Sequence, residues 1–139
     1  MAKGPGEYGF EDVAYQAIGG LEGVRQLVDH FYDLMDAMPA ARRIREMHPE
    51  DLALSREKLT AFFSGWLGGP RLYQERWGTI RIPPAHAHLS ISPLERDAWL
   101  ACMVQALERM NVDDAFKEYF LGSVAVPASF CVNRPEPES

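Results

Sequence analysis

A chain of 139 residues, 47% apolar and 24% charged, suits a single globular domain with a real core rather than two domains. Fourteen basic against twenty acidic side chains give a net charge of −6, and no basic patch interrupts that balance, which disfavours nonspecific nucleic-acid binding. No segment has the apolar core of a signal peptide or the run of about eighteen apolar residues that a membrane helix needs, so a soluble cytoplasmic protein is expected.

In chain order, residues 1–8 are glycine-rich and expected to be mobile, like the proline-containing tail 133–139. Phe10, Val13, Ala14, Ala17 and Ile18 fall at helical spacing, and Gly19-Gly20 can take the left-handed conformation that closes a short helix. Val24, Leu27, Val28, Phe31, Met35 and Met38 mark one face of a strongly amphipathic second helix. Tyr32 sits at the edge of that stripe, and its hydroxyl needs a partner if buried. Pro39 ends this helix or begins another, and Ile44 and Met47 suggest a short one before His48-Pro49. Leu52, Ser55, Leu59, Phe62 and Trp66, with Phe63 and Leu67 alongside, predict a helix that Gly68-Gly69-Pro70 stops abruptly. The stretch 71–82 has a weak pattern, with a turn or short helix expected around Tyr73.

Pro83 and Pro84 then bring the backbone to His86 along a narrow set of directions. Ser92-Pro93-Leu94-Glu95 reads as a helix start, with Ser92 as N-cap, Pro93 at the first helical position and Glu95 closing a capping box. The helix that follows, over 94–110, puts Trp99, Met103, Ala106 and Met110 on one face, with Leu100, Val104 and Leu107 beside them. A last helix from about Asp113 carries Phe116, Tyr119, Phe120 and Val124, and Pro127 is expected to kink or break it. Nothing reads as a strand, and about five or six helices on short connections give an all-α fold. Cys102 and Cys131 match no zinc or CxxC spacing, so reduced thiols are expected.

Periodicity alone leaves the apolar face of 52–67 open to two uses, packing against other helices or lining a flat apolar cofactor. Several motifs taken together go further: the glycine pair after the first helix, Phe31-Tyr32, the His48-Pro49-Glu50-Asp51 corner, GGPRLY from Gly68, His86, and ERDAWLACM from Glu95. In order and spacing, over residues 15–132, the sequence resembles the group II truncated haemoglobins. The resemblance implies a globin-like two-over-two helical sandwich around haem b, with the proximal helix largely replaced by an extended loop. It makes His86 the proximal iron ligand, a neutral imidazole with one nitrogen on the metal and the other donating to a carbonyl or water. His88 occupies a place where many relatives have proline and reads as a solvated loop residue. A zinc site on His86 and His88 would need further ligands.

On the distal side the resemblance implies Tyr32, His48, Ser55, Leu59 and Trp99. Ser55 stands where conventional globins place the distal histidine, so polarity must come from Tyr32, His48 and Trp99. Phe31, Phe62, Phe63 and Met103 are assigned to cofactor contacts, as are Tyr73, Trp77 and Arg81 near the haem edge, where Arg81 or Tyr73 could hold a propionate. The implied function is reversible binding of dioxygen, nitric oxide and carbon monoxide. Nitric oxide dioxygenation or peroxide reduction at the same site is the alternative, and it needs an external reductase because the chain has no flavin or nicotinamide motif. A third reading is a haem-free interaction module. Monomer and homodimer stay open.

Overall fold

In the computed structural model, which describes residues 11–79 and 91–132, helix α1 (Val13–Ile18) ends at the glycine pair as the sequence predicts. Gly19 takes φ 102°, and its N–H closes the helix on the Gln16 carbonyl at 3.1 Å. The chain turns there into α2 (Gly20–Ala37), whose Val24, Leu27, Val28, Phe31 and Met35 are buried. A 3-10 turn (Pro39–Ala41) and α3 (Arg42–Glu46) lead round the His48 corner into α4 (Ala53–Trp66). Next come α5 (Leu72–Trp77), α6 (Pro93–Glu108) and α7 (Asp114–Phe130). The described residues are helical with no strand, and they hold seven α-helices. The short α3 falls at the predicted Ile44–Met47 segment, and the stretch read as a turn or short helix around Tyr73 is the short α5.

Helix α2 is the hub. It packs against both α4 and α6, α6 in turn against α7, and α5 lies on α4. The pairs α2–α4 and α6–α7 form the two layers of a two-over-two sandwich, whose shared core includes Leu27, Phe31, Phe63, Met103, Phe116 and Phe120. No helix of the described residues is long and apolar enough to cross a membrane.

The Gly68-Gly69-Pro70 stop has a packing reason as well as a conformational one. Gly68 sits at φ 91°, and a Cβ there would lie 1.9 Å from the Glu11 carbonyl oxygen, so only glycine fits against the start of α1. The Tyr15 N–H bonds to the Leu67 carbonyl at 3.1 Å, and the Ser64 hydroxyl donates to the Pro70 carbonyl at 2.6 Å. The first bond ties the end of α4 to α1, and the second holds the turn that follows α4.

The predicted N-cap at Ser92 forms, and the last helix, expected from about Asp113, is capped by that residue. The Ser92 hydroxyl oxygen accepts from the Leu94 N–H at 3.3 Å and donates its own proton to the Glu95 carboxylate; Asp113 accepts from the Phe116 N–H at 2.9 Å. Pro127 does not break α7: the helix runs through it to Phe130, and the Cys131 N–H closes the last turn on the Pro127 and Ala128 carbonyls at 3.2 Å. Val104 is exposed, since the buried face of α6 runs through Cys102, Met103, Ala106 and Leu107 instead.

Candidate functional site

Between the two layers lies a cavity of about 480 Å³, a size that suits a small-molecule or cofactor site. Of the residues singled out in the sequence, Tyr32, His48, Ser55, Leu59, Phe62, Phe63, Tyr73 and Trp99 share its wall. Phe31 and Met103 do not: both are fully buried behind it. Phe31 meets Tyr32 and Trp99 edge-on, each with centroids 5.1 Å away, so it props the two polar aromatics from the core side. Trp77 also stays off the wall, packed on Tyr73 at 5.2 Å beneath the cations of Lys58 and Arg76. Arg81, His86 and His88 lie outside the described residues.

Tyr32 is a tightly held polar group of the wall. It is 5% exposed, and burial pushes its phenol up to about 12, against a smaller opposing pull from the Arg56 cation. The hydroxyl therefore stays protonated and able to donate. Arg56 reaches from α4 across the Tyr32 ring, 5.7 Å from its centroid, to the Asp29 carboxylate at 3.2 Å and carbonyl at 3.1 Å, and to the Asp33 carboxylate at 2.8 Å. With Phe31 on another side, the ring is held between α2 and α4.

His48 is fixed by its corner. Its Nδ1 lies 2.8 Å from the Ile44 carbonyl oxygen, and since a carbonyl only accepts, that nitrogen carries the proton. Arg45 clamps the same corner, bonding the Asp36 carboxylate at 2.5 Å and the carbonyls of Pro49 and Glu50 at 2.9 and 2.8 Å. The His48 ring meets Tyr32 at 5.6 Å in an edge geometry.

Sequence reasoning missed part of the wall. Glu95, 3% exposed, lines the cavity one turn before Trp99, and that spacing was visible in ERDAWL. Lys58 and Arg96 add two cations. Trp66 stacks on Phe62 with centroids 5.6 Å apart and also lines the cavity. Cys131 reaches it from the end of α7, while Cys102 is buried in the core; both are free thiols, which burial makes harder to ionise. Arg56 left a signal too, since Asp29 and Asp33 flank Tyr32 on α2 and call for a cation opposite. No group of three or more His, Cys, Asp or Glu able to hold a metal ion occurs among the described residues.

A flat apolar cofactor with a polar reacting centre fits this arrangement. The wall is mainly aromatic and aliphatic, yet among the described residues neither the Tyr32 hydroxyl nor the Trp99 indole N–H has a hydrogen-bond partner. Leaving a buried donor such as the Tyr32 hydroxyl unmet costs about 1–3 kcal/mol, and the half-buried Trp99 N–H lines the same space, so both groups are suited to an acceptor inside the cavity. A haem with a gas on its iron offers that acceptor, and its carboxylates suit Lys58 and Arg96.

Comparison with known proteins agrees. The profile of the bacterial-like globin family matches residues 13–131. The group 2 truncated hemoglobin YjbI of Bacillus subtilis (strain 168) is 33% identical over 124 residues, covering 89% of this chain and 91% of that protein. Among solved structures, the group II 2-on-2 hemoglobin of the plant pathogen Agrobacterium tumefaciens superposes with a TM-score of 0.84 at 37% identity, over 88% of this chain and 95% of that one. A truncated oxygen-avid haemoglobin from Bacillus subtilis does so with a TM-score of 0.78 at 33% identity, over 86% and 98%. The fold, the family profile and these relatives agree that the chain belongs to the bacterial-like globins, as a group II truncated haemoglobin.

Proposed function

We propose that the chain holds haem b in this cavity, with His86 as the proximal ligand, and binds dioxygen, nitric oxide and carbon monoxide. The observation that carries the reading is the pair of donors, Tyr32 O–H and Trp99 N–H, on the wall of an apolar cavity in a globin fold. When bound, haem supplies the iron that takes up a diatomic gas; the residues decide how long the gas stays.

Tyr32 donates to the polarised outer atom of the gas, and its raised pKa keeps that proton in place through the physiological range. Trp99 donates from α6, so the gas is held from both layers. Leu59, Phe62 and Phe63 keep water away, which strengthens each of those bonds. His48, locked by Ile44 and Arg45, adds polarity at the corner, while Ser55 is too short to replace an imidazole. Lys58 and Arg96 join Tyr73 and Arg81 as candidates for holding the propionates, and Lys58, Tyr73 and Arg96 lie on the cavity wall.

Slow release suits an oxygen-dependent catalyst or sensor better than a carrier, in line with the oxygen-avid character ascribed to the Bacillus subtilis haemoglobin. It also favours the second reading, nitric oxide dioxygenation or peroxide reduction fed by an external reductase, because a retained gas is available for reaction. Nitric oxide consumption no faster than that of free haem would remove this second reading.

Haem titrated into the haem-free protein should quench the fluorescence of Trp66 and Trp99, both on the cavity wall, and saturate at about one haem per chain. Quenching that never saturates would mean haem does not occupy this cavity.

A further inference from the structure

Trp66 belongs to two surfaces at once. Its ring lines the cavity, stacked on Phe62 at 25° with centroids 5.6 Å apart, yet 37% of the residue is open to solvent. Tyr32 is the more obvious oxidisable side chain of the wall, but at 5% exposure a dissolved phenol does not reach it once a cofactor fills the space. Trp77 is reachable, but the Arg76 guanidinium lies 4.6 Å and the Lys58 ammonium 5.7 Å from its ring centre. Cations attracted to a neutral ring repel the same ring once it has lost an electron, so they oppose its oxidation. Among the described residues no cation lies over Trp66. Its indole N–H instead donates to the Ser123 hydroxyl oxygen at 3.1 Å, an acceptor placed where positive charge would develop. Beyond Ser123, Val126 and Phe130 follow at helical spacing on α7 with 56% and 68% exposure, an apolar ledge on which an aromatic ring can rest.

We infer that Trp66 relays electrons from phenolic reductants at the rim to the haem during peroxide reduction, giving the protein a second substrate site outside the gas pocket. The inference rests on haem occupying the cavity. Hydrogen peroxide takes two electrons and two protons to become two waters. Each electron is drawn from the Trp66 indole, leaving an indole radical cation whose N–H stays on Ser123. A phenol at the rim returns the electron and releases its O–H proton, which restores the indole and leaves a phenoxyl radical. Two such turns sum to H2O2 + 2 ArOH → 2 H2O + 2 ArO•, with the haem iron unchanged over the cycle.

The test uses the haem-loaded protein with hydrogen peroxide and guaiacol, compared at equal bound haem. Trp66→Phe should slow guaiacol oxidation at least about tenfold, and Trp66→Tyr should restore part of it. Ser123→Ala, which keeps the indole and removes only its acceptor, should also slow it. With peroxide alone, peptide mass spectrometry should find oxygen added to Trp66, and guaiacol should suppress that mark. Undiminished guaiacol oxidation by the phenylalanine variant, or damage at Tyr32 or Trp99 with Trp66 intact, overturns the relay while leaving haem and gas binding standing. A chain that takes up no haem overturns both.

Discussion

Replacing Tyr32 with phenylalanine should speed oxygen release from the haem-loaded protein about ten- to a hundred-fold, because one hydrogen bond to a charged acceptor contributes about 1.5–3 kcal/mol. The substitution keeps the ring between Phe31 and Arg56 and removes only the hydroxyl, so the fold should be unaffected. Trp99→Phe removes the second donor and should raise the rate by a similar factor. The double variant should fall short of the product of the two, since both donors serve one acceptor. Carbon monoxide carries little charge on its outer atom and should leave at nearly the same rate from all four proteins. Stopped-flow release measurements give these numbers directly. Unchanged oxygen release in both single variants would mean that neither donor faces the gas.

The second large effect is at His86, which the resemblance to the family implies as proximal ligand and which lies outside the described residues. His86→Gly should lose the haem on gel filtration and flatten the Soret band, and free imidazole added to the buffer should restore part of it by filling the same position on the metal. His88→Gly is the control and should keep its pigment. A His86→Gly protein that retains haem with an unaltered Soret band would move the proximal ligand elsewhere.

Much of the scaffold was legible because a few residues signal it without ambiguity. Gly19-Gly20, Ser92-Pro93 and Asp113 each act through their own backbone or side chain, so their effect is local and the helix ends fall where they predict. Pro127 was only half legible: a proline removes one helical hydrogen bond, but the neighbouring turns carry α7 on to Phe130. The site was harder. Helical spacing says that a residue is buried, not whether it is buried against protein or against a cavity. Phe31, Tyr32, Trp99 and Met103 therefore look alike in sequence, although only Tyr32 and Trp99 reach the wall. Arg56 was not singled out, and Trp66 was read only as part of a helical stripe, for the opposite reason: each has a partner on another helix, Asp29 and Asp33 on α2 for the first and Ser123 on α7 for the second. The family motifs supplied what periodicity could not, since they fix which aromatic belongs to which layer.

The most direct measurement is the absorption spectrum of the protein produced with ample haem, taken ferric, ferrous and under carbon monoxide. An intense Soret band that shifts and sharpens when carbon monoxide meets the ferrous form is the expected result. A colourless protein, or a pigment whose spectrum ignores carbon monoxide, would contradict a gas-binding haem in the cavity between Tyr32 and Trp99.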